Sequence, residues 1–233
     1  MRIAIYEDNK NDEMQLIEYL HRFFAAKDIQ YDICVCNTSL ELEKHINDTD
    51  IFFLDIEGVD ENGIELGIKI RKDNSDAKII FVSNYSKYLI DGYKAAASRY
   101  FLKPVSWDIF EIEFENVIRE HLLNHAGFVD EKIASHKIYY KDISYVEYKE
   151  RKSYMMIASG KVIETNYTLK YWLDKLRDYS FSQPHKSFIV NLHQVKRMDS
   201  NELLLVSGEC IPLSRMYKNQ FKNDFMNSLK RRI

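Results

Sequence analysis

The stretch IFFLDIEGVD (residues 51–60) decides the fold. Ile51 to Leu54 are four consecutive apolar residues, the composition of a short strand buried on both faces. Asp55 then stands where that strand ends. A carboxylate beside a buried strand is costly to desolvate unless it meets a cation or a set of donors. The stretch therefore predicts partners for Asp55, supplied by other strand ends.

Working outward, similar runs occur at RIAIY (2–6), YDICVC (31–36), KIIFV (78–82) and SRYFL (98–102). Helical patterns separate them: Met14, Ile17, Leu20 and Phe24 at near-helical spacing, then residues 40–46, 64–70, 88–93 and 109–118. Five strand-then-helix units with near-continuous apolar strands predict a parallel sheet covered on both faces. Right-handed crossovers make that sheet doubly wound, an α/β fold with its site at the strands' carboxyl ends.

The periodicity fades over LLNHAGFVDEK, and residues 122–130 read as a linker between a domain of 1–121 and a second of 131–233. Beyond it come short runs rich in β-branched and aromatic residues: KIYY (137–140), ISYVEY (143–148), SYMMIA (153–158), KVIET (161–165), SFIVNL (187–192), ELLLV (202–206) and CIPL (210–213). One amphipathic helix interrupts them at Leu169, Trp172, Leu173 and Leu176. A last helix is predicted from the N-cap candidate Ser214 to the basic end Lys230–Arg232. This half reads as mostly β.

Composition narrows the class. A chain of 233 residues with 45% hydrophobic and 30% charged residues is that of a globular protein with ample core. No apolar run approaches the length of a membrane helix, so no membrane role is expected. Cys34, Cys36 and Cys210 are odd in number and scattered, which points to a reducing cytoplasm, with Cys34 and Cys36 read as core. The net charge of −3 conceals an asymmetry. Residues 1–127 hold 14 Lys+Arg against 24 Asp+Glu, and residues 128–233 hold 19 against 12. Only the second half has the charge of a polyanion binder.

The predicted strand ends now supply Asp55's partners. Glu7 and Asp8 close the first strand, Ser83 the fourth and Lys103 the fifth. Clustered carboxylates at neutral pH call for a cation, and a hard divalent ion with oxygen ligands, Mg²⁺, fits them. With Lys103 as a point charge and Ser83 as a donor, the set describes a pocket for a phosphoryl group attacked by a carboxylate. Any one of these residues alone reads as a solvated loop position.

In the order Glu7-Asp8, Asp55, Ser83, Tyr100, Lys103-Pro104, residues 1–121 resemble the receiver domain of two-component response regulators. The resemblance implies that Asp55 accepts a phosphoryl group from a sensor histidine kinase. It further implies that Asp8, Asp55 and the Glu57 carbonyl hold Mg²⁺, with Glu7 assisting through water. Ser83 and Tyr100 would be the switch residues, closing on the phosphoryl group and turning inward behind it. The Met-Pro pair usual after the acceptor is replaced by Gly58-Val59, which predicts a more mobile loop, and Asn84 and Tyr85 narrow the approach. Phosphatases of the haloacid-dehalogenase type also use a strand-end Asp, but with a second Asp two residues on, where this chain has Glu57.

HKSFIVNLHQVKRMD (185–199) followed by PLSRMYKNQF (212–221) resembles the LytTR DNA-binding domain. That resemblance implies a mostly-β domain reading double-stranded DNA at paired promoter repeats through loops. Its DNA-facing positions map to Lys152, Ser153, Lys186, Arg215 and Met216. Arginine, lysine and serine suit base edges or phosphate, whereas Met216 offers apolar contact only. The alternative for His185 and Asn191 is that they fix the turn and strand packing. His121 and His125, i and i+4 at a helix end, are too few for a metal site.

The sequence thus predicts a cytoplasmic, Mg²⁺-dependent response regulator that forms a homodimer on phosphorylation and binds promoter DNA, with no enzyme activity beyond turnover of its own acyl phosphate. Two alternatives stand beside it: output through protein–protein contact or phosphate-independent DNA binding, and an Asp-nucleophile phosphohydrolase.

Overall fold

The protein is described from a computed structural model, which covers residues 1–58 and 60–230. Val59, Arg231 and Arg232, each singled out in the sequence, lie outside the described residues. The chain forms two compact units, the first ending at His121 and the second beginning at Leu122.

In the first unit, β1 (Arg2–Tyr6), β2 (Asp32–Cys36), β3 (Ile51–Asp55), β4 (Lys78–Ser83) and β5 (Arg99–Leu102) form one parallel sheet in the order β2-β1-β3-β4-β5. The helices are α1 (Lys10–Ala25), α2 (Ser39–Glu43), α3 (Gly63–Asp73), α4 (Leu89–Gly92) and α5 (Trp107–His125). Alternate residues of β3 feed opposite cores: Phe52 and Leu54 pack with Ile64, Leu66 and Phe81, while Ile51 and Phe53 pack with Phe23, Phe110 and Phe114. That double burial is why β3 reads as an unbroken apolar run. α2 and α4 are slightly shorter than the periodicity suggested, and 3₁₀ turns at Ile46–Asp48, Ser86–Tyr88 and Tyr93–Ala95 complete those connections. Side-chain caps start α1, α2 and α3: Asn9 accepts from the Asn11 and Asp12 amides, Thr38 from the Glu41 amide, and Asn62 from the Ile64 amide. Gly63 is required where α3 begins, because a Cβ there would lie 2.1 Å from the Asp55 carbonyl oxygen.

Residues 122–130, expected as a linker, are regular structure. α5 continues to His125, and β6 (Gly127–Asp130) pairs with β7 (Ala134–Tyr139). The remaining strands are β8 (Ile143–Lys149), β9 (Lys152–Ile157), β10 (Val162–Thr165), β11 (Phe181–His185), β12 (Phe188–Asn191), β13 (Val195–Met198), β14 (Glu202–Leu205) and β15 (Cys210–Pro212). One sheet runs β10-β9-β8-β12-β11 and another β13-β14-β15. α6 (Leu169–Leu176) is capped by Thr168, and α7 (Arg215–Lys230) follows Ser214 directly. Trp172, fully buried, packs against Phe128 and donates its indole N–H to the Thr165 hydroxyl at 3.2 Å.

Trp172→Ala removes the largest fully buried side chain of this unit and strands the Thr165 hydroxyl. It is expected to cost about 3–5 kcal/mol, read as a lower urea midpoint for the loss of β-sheet circular dichroism.

Candidate functional site

The parallel sheet brings the ends of β1, β3, β4 and β5 to one edge, and the site follows from what each end carries. Asp55 closes β3 and is only 6% exposed, and Glu7, just past β1, is 5% exposed. Lys103 directly follows β5, and the peptide bond from it to Pro104 is cis. Its ammonium sits 2.8 Å from Glu7 Oε2, 2.8 Å from Asp55 Oδ2 and 2.9 Å from Asp12 Oδ2. Asp8 is exposed at the rim, and ligand oxygens of Glu7, Asp8 and Asp55 lie within 4.8 Å of one another. The structure thus brings together Glu7, Asp8, Asp55 and Lys103. It also adds Asp12, placed in the first turn of α1 by the Asn9 cap; its signal was a helix-start acid four residues after Asp8.

The electrostatics follow from burial. Loss of water raises the Glu7 carboxyl, Lys103 opposes the shift, and repulsion from Asp55 adds to it, leaving Glu7 at about 7. Burial works against the Lys103 charge, but hydrogen bonds to Asp55, Glu7 and Asp12 outweigh it and hold the ammonium above its ordinary value. The donor set is all oxygen, and these four carboxylates exceed the single lysine in charge, so a hard dication fits.

Ser83 is fully buried at the end of β4, and its hydroxyl accepts the Tyr85 N–H at 3.3 Å. Tyr100, on β5, donates its hydroxyl to the Tyr85 carbonyl at 2.5 Å. Glu57 is exposed, and its amide donates to Asp55 Oδ1 at 3.2 Å.

In the second unit, three chain segments converge on one end of the β10-β9-β8-β12-β11 sheet. β8 and β9 are joined through Glu150 and Arg151, both at positive φ (50° and 65°), the signature of a tight hairpin turn. The β11–β12 turn carries Lys186, and the Tyr148 amide bonds the Ser187 carbonyl at 2.8 Å, which sets the two turns side by side. The Ser214 amide bonds the Pro184 carbonyl at 3.0 Å, which brings the start of α7 to the same end. Arg151, Lys186, Arg215 and Met216 (84% exposed) all face solvent here.

Two sequence-derived positions fare differently. Ser153 has 0% exposure and donates its hydroxyl to the Tyr167 carbonyl at 2.7 Å, so it is part of the frame and cannot touch DNA. Lys152 is half-buried and paired with Glu164. Arg151, one residue earlier, was overlooked as an individual position; the positive-φ turn makes it the tip. The alternative for His185 and Asn191 is what the structure contains. His185 Nδ1 accepts the Ser187 N–H at 3.2 Å, and Asn191 donates to the Ile143 carbonyl at 2.9 Å while accepting from the His193 amide at 2.9 Å.

With this geometry in place, comparison with known proteins becomes specific. The family described as Response regulator receiver domain matches residues 10–111, and the family described as LytTr DNA-binding domain matches residues 134–226. Accessory gene regulator protein A of Staphylococcus aureus (strain N315) is 30% identical over 223 residues, covering 88% of this chain and 92% of that protein. Its namesake in Staphylococcus epidermidis is 30% identical over 226 residues, with the same coverage. Among solved structures, the response regulatory domain of protein mrkE from Klebsiella pneumoniae is 19% identical and covers 52% of this chain and 98% of that one, at a TM-score of 0.47. Among the described residues no helix is long and apolar enough to cross a membrane.

The carboxylate cluster yields a signed expectation. A carboxyl whose folded value, about 7, stands above the ordinary 4.5 binds more protons folded than unfolded, so stability falls as pH rises between those values. Lys103→Met removes the shared counter-charge. It is expected to destabilise the first unit by about 3 kcal/mol at pH 8, with the loss shrinking as pH falls toward 5 and Glu7 takes up a proton. Thermal unfolding of both proteins across that range measures it.

Proposed function

This chain belongs to the two-component response regulators that join a receiver domain to a LytTR DNA-binding domain, and from that premise we propose that phosphorylation of Asp55 switches its occupancy of promoter DNA. The chain is a DNA-binding response regulator whose receiver implies a kinase partner. In the finer reading, residues 1–121 are the receiver and residues from 131 onward the DNA-binding domain. The observation that carries the reading is the buried Asp55 carboxylate, 2.8 Å from the Lys103 ammonium and grouped with Glu7 and Asp8 at one sheet edge.

A carboxylate oxygen of Asp55 attacks the phosphorus of the kinase's phosphohistidine. The new O–P bond forms as the N–P bond breaks, and the imidazole leaves with the electron pair and takes up a proton. Lys103, already on the acceptor's oxygen, supplies fixed positive charge where the phosphoryl oxygens arrive. Asp8, Asp55 and the Glu57 carbonyl would hold Mg²⁺, with Glu7 assisting through water. When bound, the ion neutralises phosphoryl oxygens and aligns them for transfer. The Ser83 oxygen accepts the Tyr85 N–H, and its own proton would turn to a phosphoryl oxygen. Tyr100 completes the switch by giving up the Tyr85 carbonyl and turning inward.

Arg151, Lys186 and Arg215 form the DNA-facing end, with Lys152 beside them and Met216 as an apolar contact. Phosphorylation favours a homodimer through the receiver, which doubles the phosphate contacts and steepens the salt dependence of binding. The protein works in the cytoplasm and turns over no phosphate but its own acyl phosphate.

Intact mass after incubation with acetyl phosphate tests the acceptor. A gain of one phosphoryl mass that needs Mg²⁺ and is absent in Asp55→Asn is expected; multiple turnover of an aryl phosphate would instead favour a phosphohydrolase. For the output, Lys186→Ala should weaken binding to a selected duplex about tenfold and weaken random duplex less, since a base contact is worth about 1–3 kcal/mol. Ser153→Ala should leave both affinities unchanged. Equal losses for Lys186→Ala on both duplexes would assign that side chain to phosphate alone.

A further inference from the structure

Tyr6 lies at the end of β1, fully buried, one residue before the acid pair. Its hydroxyl donates to Asp60 Oδ1 at 2.7 Å, has the Glu61 carbonyl 3.1 Å away, and accepts the amides of Asp60 at 3.3 Å and Glu61 at 3.2 Å. Asp60 passes the connection on: its carboxylate accepts the Ser39 amide at 3.0 Å and the Ser39 hydroxyl at 3.0 Å, at the start of α2. The ring of Tyr6 fills the space beside Gly58, where a Cβ would lie 2.1 Å from the ring carbon Cε1.

These contacts bracket Glu57. On one side Ile56 is fully buried and its carbonyl accepts the Gly63 amide at 3.0 Å. On the other, Gly58 lies against the Tyr6 ring, and residues 60 and 61 are bonded to the Tyr6 hydroxyl. A phenylalanine would fill the same apolar volume, so packing alone does not call for the hydroxyl. A buried hydroxyl costs stability unless partnered, and here every partner belongs to the loop after the acceptor.

We propose that Tyr6 is a positioning residue for the metal site: its hydroxyl and ring fix the loop after Asp55 so that the Glu57 carbonyl is held ready to ligate a divalent cation. The clamp does the work of the Met-Pro pair that this loop lacks, and Gly58 is the residue that leaves room for it. The inference rests on the receiver reading and assigns a residue outside the acid cluster to that site. A carbonyl presented by a restrained loop loses little conformational freedom on ligation, whereas a loose loop must be ordered by the ion.

The test is calorimetric titration of the full unphosphorylated chain with MgCl₂ for wild type, Tyr6→Phe, Asp60→Ala and the double variant, with melting temperatures taken with and without MgCl₂. Tyr6→Phe keeps the ring on Gly58 and is expected to weaken Mg²⁺ about tenfold, in the range seen when outer-shell partners are removed. Its melting point should move less without the ion than with it. Asp60→Ala should give a similar loss, and the double variant little more, because the two residues act as one clamp. A Tyr6→Phe dissociation constant within twofold of wild type, with only the melting point lowered, would overturn the inference and make Tyr6 a core residue. Absence of Mg²⁺ uptake by the wild type would overturn the metal reading itself, and the inference with it.

Discussion

One ammonium group holds the receiver's active edge together. Lys103 reaches Glu7, Asp12 and Asp55 at 2.8–2.9 Å, and each of these carboxylates comes from a different segment: the end of β1, the first turn of α1 and the end of β3. Two of the three carboxylates are nearly inaccessible to water, so the arrangement survives only because the cation is there. It is not fully compensated, and Glu7 is pushed up to about 7. A pocket built this way sits under electrostatic strain, with more negative charge than it can neutralise. In the proposed function that excess would draw in a dication, which would offset the charge of an arriving phosphoryl group.

The second unit divides its polar groups the opposite way. The residues that carry the resemblance to the DNA-binding family are mostly inside. Asn191 links the Ile143 carbonyl to the His193 amide, and His185 closes the turn onto Ser187. Between them Lys186 points to solvent. The recognisable part of the motif is thus the frame, and the position it carries outward is Lys186. Ser153 belongs with the frame for the same reason: its hydroxyl satisfies the Tyr167 carbonyl.

The first unit was legible because its strands are buried on both faces, which makes them continuous apolar runs, and because parallel pairing fixes which ends share an edge. Asp55, Glu7, Asp8 and Lys103 could therefore be grouped without coordinates. Asp12 and Tyr6 could not. The first depends on how Asn9 starts α1, and the second on a close approach to Gly58 that only the fold creates. Three strands of the second unit were missed for local reasons. β11 contains Pro184 and a register shift, tolerated because it is an edge strand. β13 carries exposed Lys196 and Arg197 in four residues, and β6 falls where α5 had been expected to give way to a linker. Short, edge or charged strands have weak period-two signals because few of their residues are buried.

The two proposed switch residues meet at Tyr85. Ser83 accepts the Tyr85 N–H and Tyr100 donates to the Tyr85 carbonyl, so residues on neighbouring strands β4 and β5 are joined through a single loop residue. Each bond is worth about 1 kcal/mol net, or somewhat more in a partly desolvated setting. In the proposed switch, a phosphoryl group on Asp55 would replace the single carboxylate charge with nearly two, a net gain of about one negative charge close to the fully buried Ser83. A charge-assisted bond to it is about twice as strong as the neutral one Ser83 now makes. The hydroxyl would therefore gain by turning to the phosphoryl group, and the Tyr85 N–H would lose its tether. Tyr100 would then hold a loop with one anchor fewer, and its ring already packs against Phe81 at 6.3 Å on the inner side.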